Sequence, residues 1–154
     1  MKRYSLLLAL LLVAFSWQKH NTEEIIPVER TDYEGTVSVE YKGETYDTPG
    51  IKVNYAPSED GSTADITIYR IKFVPQMPVT IDVNIPAVPV DRRENAIFFS
   101  GENIVPMALG GEVPRYLVTA LSGSIEKDGI SFNLNFGDYP TRYSGIKTVE
   151  WRDQ

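Results

Sequence analysis

The feature that most restricts the fold of this chain is a two-residue period in its hydrophobic side chains. Between residues 79 and 85, valine or isoleucine at every odd position alternates with a polar residue at positions 80, 82 and 84. Such alternation places all the apolar side chains on one face of an extended strand. From residue 33 onward no stretch longer than one turn has helical spacing. The sequence therefore predicts an all-β protein, an antiparallel barrel or sandwich of about eight to ten short strands joined by turns.

The clearest hairpin is predicted around the Asp128-Gly129 pair. With these two residues as a type I′ turn, Ile125 faces Phe132 on the neighbouring strand. The large apolar side chains of both strands then share one face: Leu121, Ile125, Ile130, Phe132, Leu134 and Phe136. A register shifted by a single residue would expose this face, so the pattern favours the hairpin.

Irregularities in the period predict where the strands bend or end. The apolar residues at 66 and 68 have the opposite parity to those at 71 and 73. One extra residue would restore the alignment, which predicts a β-bulge near Tyr69 and Arg70. Proline and glycine are expected to interrupt the second strand at residues 48–50 and to form irregular loops over 86–94 and 106–114.

The first 16 residues have the pattern of a secretory signal peptide. Two basic residues are followed by ten apolar ones, residues 6–15, which are too few for a membrane-spanning helix of about 20 residues. Small residues at 14 and 16 predict cleavage after Ser16, and hence an extracytoplasmic protein, periplasmic or secreted. Residues 17–32 are expected to be a flexible lead-in, and residues 33–151 the folded domain, with a last strand over 143–151.

Composition argues against several classes of chemistry. The 154 residues form a single domain, have no cysteine and contain one histidine, His20. We therefore expect no disulfide, no metal site, no cofactor and no catalytic triad, and predict that the protein is not an enzyme. The adjacent acids at 23–24 and 59–60 point apart, whereas a glycosidase needs facing carboxylates. The net charge of −6 argues against a nucleic-acid partner.

Several segments taken together resemble a known family. They are residues 33–39, the phase-slipped strand over 64–73, the strand over 79–85 that leads into Pro86, the Phe99-Ser100-Gly101 segment and residues 143–147. In order and spacing these are similar to the calycin-like domain family of small exported Bacteroidetes proteins. The resemblance implies an antiparallel, up-and-down, lipocalin-like β-barrel of about eight strands, and it implies no defined activity. Members of the family often have a cysteine after the leader, which this chain lacks.

Two functions are compatible with such a barrel. If its interior is open, apolar side chains would line a pocket for a small hydrophobic molecule, and two arginines would lie at its mouth to hold an anionic group. The candidate ligand-binding residues are Phe73, Phe98, Phe132, Leu134, Phe136, Arg92 and Arg93. If the interior is filled, the aromatic residues are core, and the protein is a structural or protein-interaction module of an accessory or inhibitor type. Its partner would then contact the loops over 91–95 and 106–115.

A third class, the outer-membrane β-barrel, is disfavoured by the polar face of the same hairpin. Membrane strands need an uninterrupted lipid-facing apolar row. The face opposite the apolar one contains serine, asparagine and glutamate instead: Ser122, Ser124, Glu126, Ser131, Asn133 and Asn135. We therefore expect that the barrel does not span a membrane.

Overall fold

The computed structural model describes residues 29–148. The predicted signal peptide, most of the predicted lead-in and the end of the last predicted strand lie outside the described residues. The described part contains ten β-strands and one short 3₁₀ helix, Pro114–Tyr116. The strands are β1 (Thr31–Tyr41), β2 (Glu44–Pro57), β3 (Thr63–Ile71), β4 (Ile81–Arg92), β5 (Ala96–Gly101), β6 (Met107–Ala108), β7 (Gly111–Glu112), β8 (Val118–Glu126), β9 (Gly129–Phe136) and β10 (Tyr139–Lys147).

Eight of these strands close into an antiparallel barrel. β1 to β5 pair in chain order, β5 pairs with β8, and β8, β9 and β10 continue the sheet. Closure comes from β10, which pairs with β1 from Tyr33 opposite Lys147 to Val39 opposite Thr141. The small hairpin β6–β7 is inserted between β5 and β8 and pairs with β4 at a single position. The prediction of an all-β, up-and-down barrel of eight strands is confirmed.

The barrel has one core, formed by the inward row of each strand. Along β9 the residues at 130, 132, 134 and 136 are buried, while those at 131 and 133 are exposed. The six apolar residues predicted to share one face of the β8–β9 hairpin are all buried. In this hairpin the two-residue period therefore predicted correctly which side chains point inward.

The predicted pairing within this hairpin is wrong by two residues. The structure pairs Glu126 with Gly129, so the turn is Lys127-Asp128. A shift of two residues keeps the same side chains inward, so alternation alone cannot distinguish the two registers. The observed register places Gly123 opposite Phe132. A Cβ atom on Gly123 would collide with the Cβ atom of Phe132 and with the ring of Phe99, so the glycine makes room for these two inward side chains.

Four register shifts bend the strands around the barrel. The predicted bulge near Tyr69 and Arg70 is confirmed, because between Ile68 and Ile71 the strand β3 contains one residue more than the facing part of β4. A second bulge lies in β2 at residues 49–50, where an interruption was expected, and β2 is continuous through it. The others lie in β4 between residues 85 and 88 and in β8 between residues 119 and 122.

β4 differs most from the prediction. It begins at Ile81 rather than Val79, which is 61% exposed, because Ile81 is the first residue with a partner on β3. It also continues through the predicted loop over 86–94 as far as Arg92. Pro86 is accommodated because it lies within a bulge, where the ladder needs no N–H group from it. The predicted irregular segment over 106–114 contains β6 and β7.

Candidate binding site at the aromatic end of the barrel

The interior of the barrel is filled by aromatic side chains that contact one another. Ring centroids are 6.3 Å apart for Tyr55 and Phe99, 6.0 Å for Phe99 and Phe132, and 5.2 Å for Phe132 and Tyr143. Each of these four side chains is 2% exposed. Aromatic rings at such separations are in the packing range of a protein core. The described part of the barrel is therefore a packed core.

Most of the candidate lumen residues lie in this core, and one does not. Phe73, Phe132, Leu134 and Phe136 are buried members of the interior cluster. Phe98 instead lies half-buried on the outer surface of β5, beside a shallow groove of about 270 Å³. Its placement in the lumen was wrong, because adjacent apolar residues on a strand point to opposite faces and only one can point inward. The neighbouring Phe99 points inward instead, and it was not included in the candidate site predicted from the sequence.

The two arginines predicted at the barrel mouth point in different directions. Arg93 lies on the outer surface, where its guanidinium is 3.2 Å from the Asp91 carboxylate and 4.8 Å from the centroid of the Phe98 ring. Arg92 ends β4 and extends toward Gly61 in the β2–β3 turn. Because Arg93 is paired with Asp91 on the outer surface and Arg92 extends toward the β2–β3 turn, these guanidinium groups do not form a clamp for one anion.

The buried groups that titrate in the described residues are tyrosines. Burial raises the pKa of Tyr33 to about 12 and also raises the pKa of Tyr55 and of Tyr143. The Tyr143 hydroxyl donates a hydrogen bond of 2.8 Å to the carbonyl oxygen of Ile51. These hydroxyls therefore keep their protons at neutral pH. Residues 29–148 also contain no group of three His, Cys, Asp or Glu side chains that could hold a metal ion.

At one end of the barrel the aromatic packing continues from the core to the surface. Phe136 packs edge-on against Phe73 at 4.9 Å, and Phe73 stacks on Tyr116 at 4.1 Å with an interplanar angle of 23°. Tyr116 lies 6.2 Å from Tyr139, which lies 6.0 Å from Tyr41. We call the three half-buried residues Tyr41, Tyr139 and Tyr116 the tyrosine row.

Local structure explains why these three side chains meet. Tyr41 is the last residue of β1 and Tyr139 the first of β10, so barrel closure brings them together. Tyr116 belongs to the 3₁₀ helix, which is tied to the β9–β10 turn by a 2.9 Å bond from the Gly137 amide to the carbonyl of Leu117. The row thus combines residues from three distant parts of the sequence.

A cation flanks each end of the tyrosine row. The Lys42 ammonium is 5.2 Å from the centroid of the Tyr41 ring, and the Arg115 guanidinium is 5.7 Å from that of Tyr116. Both separations are within the range of cation–π attraction. Sequence reasoning did not find this site. The only available signal was the high tyrosine content, which does not indicate which tyrosines share a surface.

Comparisons with family models, with curated proteins and with solved structures found no match for this chain. The resemblance to the calycin-like family accordingly stays a prediction. None of the helices in the described part of the chain is long and apolar enough to cross a membrane.

Proposed function

We propose that this protein is an exported, non-enzymatic β-barrel module that binds another protein through the tyrosine row. The observation that supports this proposal best is the continuous aromatic packing from Phe136 in the core to Tyr41 at the surface. Tyrosine and arginine are enriched among the residues that dominate the energetics of protein interfaces. The row presents three tyrosines, with Arg115 beside one of them.

The packing beneath the row favours binding because it limits the motion of the tyrosine rings. Tyr116 stacks on a buried phenylalanine, Phe73, which is 1% exposed. An aromatic side chain that is already held in place loses little conformational entropy when a partner covers it. The filled barrel would then serve as the rigid support for a surface site.

The second candidate, a small hydrophobic ligand in the lumen, has less support. Such a ligand would occupy the space that Phe99, Phe132 and Tyr143 now fill. Native mass spectrometry of the exported protein, combined with organic extraction, tests this candidate directly. We expect only the mass of the protein chain. A co-purifying hydrophobic molecule that is lost in a folded Phe132→Asp variant would contradict a packed interior and support the lumen site.

The protein-binding proposal is tested with variants of the tyrosine row. We would cross-link the protein to its neighbours in the extracytoplasmic fraction of its own organism and measure binding of the captured protein after purification. Tyr139→Ser is expected to weaken that binding at least tenfold, as is typical of an interface anchor. The matched control is Phe98→Ser, which removes another half-buried aromatic ring from the outer surface. Equal binding by both folded variants would overturn the proposal.

A further inference from the structure

β2 extends well beyond the strand that should cover its outer edge. On one side it pairs with β1 along its length, from Glu44 opposite Tyr41 to Tyr55 opposite Thr31. On the other side its pairing with β3 covers only Val53 to Pro57. Residues 44–50 are exposed throughout, and no other described strand pairs with them. We call residues 44–50 the open edge.

The open edge has a local structural cause. β3 bulges between Ile68 and Ile71 and then ends, and the chain turns away through residues 72–80 before β4 begins. No part of β3 is therefore left to pair with the first half of β2. The backbone N–H and C=O groups that point away from β1 along this half have no strand partner among the described residues. An unpaired row of this kind is a template for an added strand.

We infer that the open edge binds an extended, basic segment of the partner protein by strand addition. This inference rests on the proposed function and specifies how the partner binds. The basic character of the partner segment follows from the negative charge of the open edge, which contains Glu44 and Asp47 and has no lysine or arginine. A second copy of this chain would place like charges opposite each other across the new pair, which is unfavourable.

The position of the open edge links it to the tyrosine row. Glu44, its first residue, pairs with Tyr41, the row's outermost ring. A segment held by the row can therefore continue along β2 until Pro49, which lacks an N–H group and limits the ladder. The five residues from Glu44 to Thr48 span about 17 Å, enough for an ordinary strand.

The test uses a synthetic peptide of about nine residues with alternating threonine and lysine, added to the full exported protein at low salt. Amide hydrogen exchange measured by NMR should slow within residues 44–50 when the peptide binds. The double variant Glu44→Lys/Asp47→Lys should weaken binding about tenfold, since two favourable charge contacts become repulsive. The control Glu59→Lys/Glu94→Lys makes the same change in net charge at exposed turns at the other end of the barrel, and should bind like the unmodified protein.

Four outcomes would overturn the inference. Equal weakening in both double variants would indicate attraction to net charge alone. Slowed exchange outside the open edge would place the peptide elsewhere, and slow exchange at residues 44–50 before peptide is added would mean that the edge is already covered. The proposed function is judged separately, because Tyr139→Ser tests the tyrosine row with the captured protein and leaves the edge intact. Dimerisation through the edge, detected by analytical ultracentrifugation, would also contradict a basic partner.

Discussion

At the scale of single residues, carboxylates hold three of the four bulges of the barrel in place. Three bulged residues have a left-handed backbone, with φ values of 58° for Arg70 and 51° for both Ala87 and Ala120. Each amide donates a hydrogen bond of 2.9–3.0 Å to a carboxylate outside its own strand; the acceptors are Asp82, Asp65 and Glu102, respectively. A charged acceptor strengthens such a bond and offsets the cost of the strained backbone.

Replacing one of these carboxylates should therefore destabilise the barrel. We expect Asp65→Ala to lower the free energy of unfolding by about 1–2 kcal/mol, because the amide of Ala87 loses its charged acceptor. Asp65→Asn keeps an oxygen acceptor and should lose less. Urea denaturation measures both, with Glu59→Ala, which removes an exposed turn carboxylate, as the control. If Asp65→Ala were no less stable than this control, the carboxylate would have no such role.

At the scale of the strand, the sequence predicted which side chains face the interior better than it predicted which residues pair across strands. The two-residue period identified the inward faces of β8 and β9 and the bulge at Arg70. It could not choose between hairpin registers that differ by two residues, because both bury the same side chains. It also failed at Phe98, where two adjacent phenylalanines have no periodicity to separate them.

The observed hairpin register makes a prediction that distinguishes it from the expected one. Gly129 pairs with Glu126 and does not belong to the turn, and a Cβ atom on it would meet its nearest neighbour at an ordinary 3.6 Å. Gly129→Ala should therefore change the free energy of unfolding by less than about 1 kcal/mol. In an Asp128-Gly129 type I′ turn the same change would force alanine to a positive φ and cost more. A loss well above 1 kcal/mol in thermal or urea unfolding would favour the predicted register.

At the scale of the whole molecule, the fold could be predicted and the candidate binding site could not. Alternating strands and turn residues indicate an antiparallel barrel or sandwich, because each strand has its own local signal, and the resemblance to the calycin-like family implied the barrel. The tyrosine row depends on closure of β10 on β1 and on the packing of the 3₁₀ helix, and neither contact is encoded in a local pattern. The same reason explains why the open edge was missed, since it results from where β3 ends.

The buried tyrosines predict how the whole barrel responds to alkaline solution. The pKa of Tyr33 is raised from 10.0 to about 12, and the pKa of Tyr143 is also raised, mainly by burial. Because the folded-state pKa lies above the unfolded value, the unfolded state binds fewer protons between pH 10 and 12, and unfolding releases protons. The free energy of unfolding is therefore unaffected below pH 10 and falls as the pH rises toward 12. The tyrosinate absorbance of these buried side chains should appear together with loss of the folded circular dichroism signal. Ionisation of all the tyrosines near pH 10 in a folded barrel would contradict this expectation.

Closure of the barrel also places the start of β1 and the end of β10 at the end of the barrel opposite to the tyrosine row. β1 begins and β10 ends at the same end of the barrel, where the Thr148 amide donates a hydrogen bond of 2.9 Å to the carbonyl oxygen of Asp32. Tyr41 and Tyr139 lie at the opposite ends of those two strands. A surface, a label or a neighbouring domain attached next to Asp32 or Thr148 would thus lie at the end of the barrel opposite to the tyrosines. The length of the barrel thus separates Asp32 and Thr148 from the tyrosine row, the surface proposed to bind a partner.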